Sequence, residues 1–291
     1  MTELLQLVVI GLSTGSAFAL VGIGLVLVFR TTGIVNIAQG AFAVLGGLFM
    51  VALVDDLPGV VAGLVVVLIV GLVGSIVGFV AVGFRRRTTS VASLIITLGF
   101  ALLISALSLL AFGDETHTYA AISAHAWELG GVLVQPQHVA VAGVTLASSV
   151  LLALGLQRTI AGQALVASGD SRRVAELVGI DPRAVAAIAF AVAAALAALG
   201  WVLMTPVDPV RWDSELRIVL NGFAAAAFGG LVSIRLAYLG GLTLGVAEQL
   251  VVGYGDAIPG IGDQARQYEL AAALVIMLVL IGWRSRHEVH E

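Results

Sequence analysis

The chain has 291 residues, 60% of them hydrophobic and only 11% charged, with a mean hydropathy of +1.09. A soluble globular protein carries about 25% charged residues, so 14 basic and 18 acidic residues cannot solvate a compact surface of this size, and a water-soluble protein is excluded. There is no cysteine, and every basic residue is an arginine, which excludes disulfides, thiolate metal sites, a Walker A loop and a Schiff-base lysine.

About 20 apolar residues in a helix cross the roughly 30 Å hydrocarbon layer of a bilayer. Charge-free runs cover residues 4–29, 31–54, 57–84, 88–113, 129–157, 184–207, 218–234, 236–247 (extendable past Glu248 to 255) and 270–283. They predict an all-α, polytopic transmembrane helical bundle, a single domain over 1–291, with about 8–10 spans. The first run follows Met-Thr-Glu with no basic leader and is read as a retained helix, not a cleaved signal. The last three runs are short, so one or two broken or re-entrant helices, buried against protein, are expected.

Arginine placement sets the orientation. With the N-terminus outside, Arg30, Arg85, Arg86, Arg87, Arg158, Arg172, Arg173, Arg183, Arg235, Arg284 and Arg286 fall inside, and only Arg211, Arg217 and Arg266 fall outside. Positive charge is retained on the cytoplasmic side, so the prediction is N-out and C-in. Gly11/Gly15, Gly59/Gly63, Gly74/Gly78 and Gly241/Gly245 have the small-xxx-small spacing that lets helix backbones approach closely.

In the second span, Gly33 and Gly40 weaken helix continuity, and Asn36 and Gln39 lie one turn apart on a shared face. Amides in hydrocarbon need partners. The pair is therefore either interhelical glue or the polar lining of a translocation path near its inner mouth. Asn36 to Gly46-Gly47 is echoed by Asn221 to Gly229-Gly230, a hint of an internal repeat with spacing off by one. Glu248, an ionisable group within a span, is either a second path residue or a structural carboxylate. His117, His125, His138, His287 and His290 have no partners at metal-ligand spacing, and no metal site is assigned. Trp127, in the loop 114–137, reads as an interfacial anchor.

Residues 158–183 form the long loop on the arginine-rich side. Asp170 is expected to cap a short helix that Gly179 ends, with Val174, Leu177 and Val178 on one face and Arg172, Arg173 and Glu176 on the others. Asp181-Pro182 then restarts a helix as N-cap and N1 proline. A helix of about two turns is marginal alone. It must rest on the inner leaflet or dock into a cytosolic partner.

The whole chain resembles the shorter permease subunit of branched-chain amino acid ABC importers. The matching stretches are Gly11-Leu12-Ser13-Thr14-Gly15-Ser16-Ala17-Phe18-Ala19-Leu20, Gly33-Ile34-Val35-Asn36-Ile37-Ala38-Gln39-Gly40 and Gly162-Gln163-Ala164-Leu165 through Ala175-Glu176-Leu177-Val178-Gly179-Ile180. Gly229-Gly230-Leu231-Val232-Ser233-Ile234 and Leu239-Gly240-Gly241-Leu242-Thr243-Leu244-Gly245-Val246-Ala247-Glu248 follow in the same order. The resemblance implies a type II importer-like fold in a bacterial inner membrane. Its implied partners are a second permease chain, two ATP-binding subunits and an external substrate-binding protein, with lipid around the bundle, no nucleic acid and no cofactor. It assigns the loop around Arg172, Arg173, Val174, Ala175, Glu176, Leu177, Val178 and Gly179 to contact with the ATPase. The sequence departs at Gln39 and Ala41, where the family usually carries a histidine and an acidic residue.

Three functions compete. An ATP-driven importer's membrane subunit accounts for the bundle, the capped loop helix and the missing nucleotide site. An ion-coupled secondary transporter or channel would need a relay for which only Glu248 qualifies. An intramembrane enzyme would need paired acids, a Ser/His arrangement or a metal cluster, and the spans carry none.

Overall fold

The structure, a computed structural model, describes residues 2–82, 90–123, 125–170, 175, 177, 179–254, 271, 275, 278 and 282. In chain order it contains α1 (Thr2–Thr32), α2 (Gln39–Leu53), α3 (Gly59–Val82), α4 (Ser90–Phe112), strands β1 (Trp127–Leu129) and β2 (Val132–Val134), then α5 (Pro136–Arg158), α6 (Ile160–Asp170), α7 (Pro182–Met204), α8 (Glu215–Phe228) and α9 (Ile234–Tyr254). Among these, α1, α3, α4, α5, α7 and α9 are long and apolar enough to cross a membrane. The arginine triplet at 85–87, Arg266, Arg284, Arg286, His287, His290 and most of the ninth candidate span lie outside the described residues.

A helix that is apolar all round belongs in the middle of a bundle. α1 meets that description and is enclosed from Gly11 to Val28 apart from Leu12. α7 lies beside it, with Phe18 and Trp201 packed at a ring-centroid distance of 5.8 Å. Lipid supplies no hydrophobic drive between helices, so close backbone contact has to hold them. The glycine pairs Gly11/Gly15 and Gly241/Gly245 meet each other: a Cβ on Gly15 would stand 2.5 Å from the Gly241 carbonyl, and one on Gly11 2.7 Å from Val246 Cα. α9 therefore runs antiparallel to α1. Gly74 and Gly78 face Ala194, Phe190 and Ala186, which makes α3 antiparallel to α7. Gly59 meets nothing within 4 Å and Gly63 only Val202, so the fourth pair is not a contact of this kind.

The second span is broken as the sequence predicts. α1 ends at Thr32, Gly33 turns the chain at φ 70°, and residues 34–36 are non-helical before α2 starts at Gln39. Gln39 bonds Ala193, in the middle of α7, so α2 begins about halfway through the bundle. Gly46 at Ala198 and Gly47 at Thr205 show α2 then running parallel to α7. Non-helical backbone at that depth survives only when protein satisfies it. Buried Thr97 of α4 does this, accepting from Ile37 N–H and offering its hydroxyl to the Val35 and Leu94 carbonyls.

The seventh span breaks in the same way from the other end. After α7 the chain returns as a loop, 205–214, and α8 starts at Glu215, whose carbonyl lies against Gly40. α8 packs beside Val21 and Gly22 of α1 and ends at Phe228. The tight turn to α9 puts Gly230 at φ 62° and Leu231 at φ 58°, with Leu231 N–H returning to the Ala226 carbonyl at 3.0 Å. Thus α1–α2–α3 and α7–α8–α9 form an inverted pair, and each half-helix packs on the long helix of the other triplet. The residues that coincide are Gln39 and Glu215, the first of each half-helix. The sequence echo of Asn36 with Asn221 does not mark them: Asn36 precedes α2, whereas Asn221 lies inside α8.

Two further corrections concern the fifth span and the loop after it. Residues 129–134 do not join α5. Gly130 and Gly131 take φ 61° and 85°, a two-residue turn that pairs Trp127 with Val134, Glu128 with Leu133 and Leu129 with Val132. Downstream, residues 160–170 form α6, a helix absent from the sequence reading. It closes against α5 at Gly162 and against the Arg30 carbonyl at Gly169. Asp170, expected to cap a helix, is the last residue of α6, and the residues that directly follow it lie outside the described residues. Asp181 does cap α7, accepting from Arg183 N–H at 2.9 Å with Pro182 at N1.

Candidate functional site

The four residues expected along a path form two separate buried pairs. Asn36 Nδ2 donates to Gln39 Oε1 at 2.9 Å, and Gln39 Nε2 donates to the Ala193 carbonyl at 2.8 Å. Asn221 Nδ2 donates to Glu248 Oε1 at 3.2 Å, joining α8 to α9. All four are 0% exposed, so in this conformation they touch no water-accessible lumen within the chain. An unpaired amide in an apolar interior costs about 1–3 kcal/mol. The first pair therefore fixes where α2 starts, and the second ties α8 to α9. Among the described residues both pairs join one helical segment to another.

A solvent-reaching cavity lies elsewhere, on the face where α1 begins. It encloses about 440 Å³ between α1 (Ile10, Thr14), the start of α5 (His138), the loop 204–214, Arg217 of α8 and Gln249 of α9. Arg217 pairs with Asp208 through Nη2 and Oδ2, their side chains 34% and 26% exposed. Arg211 grips Asp213 with two nitrogens, Nε to Oδ1 at 2.7 Å, and lies 3.9 Å from Asp114. Bonding to Asp213 pushes the Arg211 guanidinium above its ordinary range. His138 is 9% exposed, and its Nδ1 has no hydrogen-bond partner among the described residues.

This face is rigidly stitched. The last carbonyls of a helix lack intrahelical partners. Those of α7 are taken by Tyr119 Oη at Val202, Gln137 Nε2 at Leu203 and Thr205 Oγ1 at Trp201. Burial pushes the Tyr119 hydroxyl up to about 12. His117 and Val210 exchange backbone bonds at 2.8 and 2.9 Å. Below the cavity, Ser105 of α4 donates to the Glu215 carboxylate at the start of α8. The sequence reading missed Asp208, Glu215, Thr97 and the places of His138 and Arg217 at the cavity. One signal was available: Asp208, Arg211, Asp213, Glu215 and Arg217 crowd into ten residues of a chain with 11% charge.

On the opposite face, the loop between α5 and α7 presents Ile160 at 89% exposure and Leu177 at 81%, while Ala175 is buried at 3%. Gly179 takes φ 87° and Ile180 N–H returns to the Ala175 carbonyl at 3.0 Å, the helix end that the sequence predicts. Arg172, Arg173, Val174, Glu176 and Val178 lie outside the described residues.

Comparison with known proteins matches this architecture over nearly its whole length. The family profile described as branched-chain amino acid transport system / permease component matches residues 7–281. The high-affinity branched-chain amino acid transport system permease protein LivH of Escherichia coli K12 is 27% identical over 300 residues, covering 97% of this chain and 95% of that protein. BraD of Pseudomonas aeruginosa, described in the same words, is 26% identical over 306 residues, covering 99% and 97%. Among solved structures, a chain of PsaBC from Streptococcus pneumoniae in complex with Fab superposes with a TM-score of 0.51 at 15% identity, over 95% of this chain and 91% of that one. That likeness concerns the fold alone. With the match running from α1 to residue 281, the chain belongs to the permease family of branched-chain amino acid transport systems and is a multi-pass permease subunit of an ABC transporter.

Proposed function

We propose that this chain is the smaller membrane subunit of an ATP-driven importer of branched-chain or related hydrophobic amino acids. It works in a bacterial inner membrane, N-out and C-in, with a second permease chain, two ATP-binding subunits and an external substrate-binding protein. It carries out no chemistry of its own. The observation that supports this reading most is the match to LivH and BraD across more than nine-tenths of the chain.

The geometry supports a division of labour. The face bearing the 440 Å³ cavity receives the solute from outside, and the α5–α7 connection (158–183) takes the stroke from the ATPase. Leu177 and Ile160 are the apolar anchors, exposed where a partner groove can cover them. A displacement there moves α7 directly. Through the Gln39–Ala193 bond it also moves the half-helix α2, so that inward- and outward-open states exchange as packed units. Asn36, Gln39, Asn221 and Glu248 act in this scheme by keeping each half-helix registered on its neighbour, next to the path. The exposed stripe Val60, Leu64, Leu68, Leu72 and Ile76 on α3 faces lipid.

The test is reconstitution of the assembled importer in proteoliposomes. Leu177→Asp, Val174→Asp or Glu176→Arg should leave the chain inserted and ATP hydrolysis running while solute uptake collapses. Full uptake in all three variants would show that this loop is not the coupling element. Uptake driven by an ion gradient without any ATPase would overturn the importer reading itself.

A further inference from the structure

We propose that the β1–β2 hairpin is a membrane-surface anchor. It lies in the phospholipid headgroup layer on the side away from Arg30 and Arg158, with Trp127, Leu133 and the nearby Ile122 docked on lipid. The inference needs only that the chain spans a bilayer, so it stands apart from the importer reading.

Helix lengths fix the level of the hairpin. At about 1.5 Å per residue, Thr2 stands about 42 Å along α1 from Arg30, and Pro136 about 33 Å along α5 from Arg158. The hydrocarbon layer is about 30 Å thick, and the bilayer about 40–45 Å with its headgroups. With both arginines at one surface, Pro136 reaches the far edge of the hydrocarbon and Thr2 the far edge of the headgroups. The hairpin bridges those two levels. Val134 comes two residues before Pro136, and a Cβ on Gly131 at the turn would lie 3.3 Å from Thr2 Cγ2.

The side chains suit that layer. A two-stranded hairpin is marginal in water and needs cover. The register puts Trp127, Val132 and Val134 on one face and Glu128 and Leu133 on the other. Val132 and Val134 are buried, with β2 packed against α1. Trp127 stays 53% exposed, Leu133 52% and Ile122 67%. The Trp127 indole N–H meets no acceptor among the described residues. An amphipathic ring with an unspent donor is the chemistry of the interfacial belt. Leu133 beside exposed Glu128 fits neither hydrocarbon nor bulk water, whereas a headgroup layer serves both. Exposed apolar side chains then continue into the membrane along α5 at Val139, Leu146 and Val150, so lipid is the occupant continuous with the hairpin. The anchor is also tied inward. Gln137 accepts from Ile122 N–H at 3.1 Å and donates to the Leu203 carbonyl at the end of α7, and the next residue, His138, lines the cavity. Lipid held by the hairpin therefore fixes the cavity face to the membrane surface.

The experiment uses the absence of cysteine, which makes any introduced thiol unique. Trp127→Cys and Leu133→Cys are spin-labelled in the full-length chain in phosphatidylcholine nanodiscs, and label relaxation by oxygen is compared with relaxation by a water-soluble nickel complex. Glu115→Cys, on an exposed loop, is the aqueous reference, and Leu146→Cys the hydrocarbon one. The oxygen-to-nickel ratio at 127 and 133 should be severalfold above that at 115 and below that at 146. In the unaltered chain, lipid brominated near the top of its acyl chains should quench indole emission, and Trp127→Phe should lose that share of the quenching. Ratios at 127 and 133 equal to the ratio at 115 overturn the anchor and leave the hairpin in water, open to a soluble partner. Should the cysteine variants fail to fold, quenching unchanged by Trp127→Phe overturns it equally.

Discussion

Substituting Gly241 by alanine measures how far backbone contact holds this bundle together. A Cβ at Gly241 would stand 2.6 Å from both Cα and Cβ of Ala19 and 2.7 Å from its nitrogen, whereas ordinary contact begins at 3.4 Å. Those atoms belong to a central helix and cannot rotate away, so α1 and α9 must part by about 0.8 Å locally. A gap of that size forfeits roughly a quarter to a half of each dispersion contact along the seam, and overpacking of this kind costs about 1–3 kcal/mol. The seam is the long antiparallel contact of Gly11/Gly15 with Gly241/Gly245, so a cost of about 2–3 kcal/mol is expected. Thermal unfolding of the purified chain in one detergent should fall by roughly 4–12 °C. Gly99→Ala is the control. It lies on an exposed face in the middle of α4 with nothing within 4 Å of its Cβ position, and should be neutral or stabilising by up to about 1 kcal/mol. Equal melting temperatures for the two variants would falsify the claim that glycine contacts set the packing.

Thr97→Val keeps shape but removes the hydroxyl that bridges Val35 and Ile37, and should destabilise the chain by about 1–2 kcal/mol, with faster hydrogen exchange at residues 34–38. Gln39→Leu strands the Asn36 amide and frees the start of α2 from Ala193. A loss of about 1–3 kcal/mol is expected in denaturant titration, and an unchanged midpoint would contradict it. Tyr119 has its folded-state pKa raised from 10.0 to about 12, so its contribution is complete below pH 10 and lost as pH rises towards 12. Tyr119→Phe should therefore flatten the stability profile between pH 10 and 12 relative to the parent chain, in addition to losing the bond to Val202.

The sequence made the helical bundle legible because charge-free runs of bilayer length admit little else, and Asp181-Pro182 and Gly179 marked helix ends through local chemistry. The broken second span was legible for the same reason: two glycines and two amides contradict a continuous lipid-facing helix. The other break was harder to see. Glu215 reads as a surface acid, and only the fold reveals that the chain turns back and begins α8 beside Gly40. The cavity was out of reach because its wall draws on residues from 10 to 249, brought together by packing and not by spacing. Asn36, Gln39, Asn221 and Glu248 were rightly singled out as costly in hydrocarbon.

The exchange of half-helices between the two triplets has a consequence for biogenesis. Gln39 waits for a carbonyl that lies 154 residues further along the chain. At roughly 5–20 residues per second of synthesis, that is an interval of about 8–30 s. Throughout it Gln39 Nε2 lacks its native acceptor, even though Thr97 of α4 is already available to the backbone of Val35 and Ile37. Neither triplet can mature alone, so the chain reaches its final form only once the late helices have left the ribosome, and truncation before α7 leaves a fragment marked for quality control.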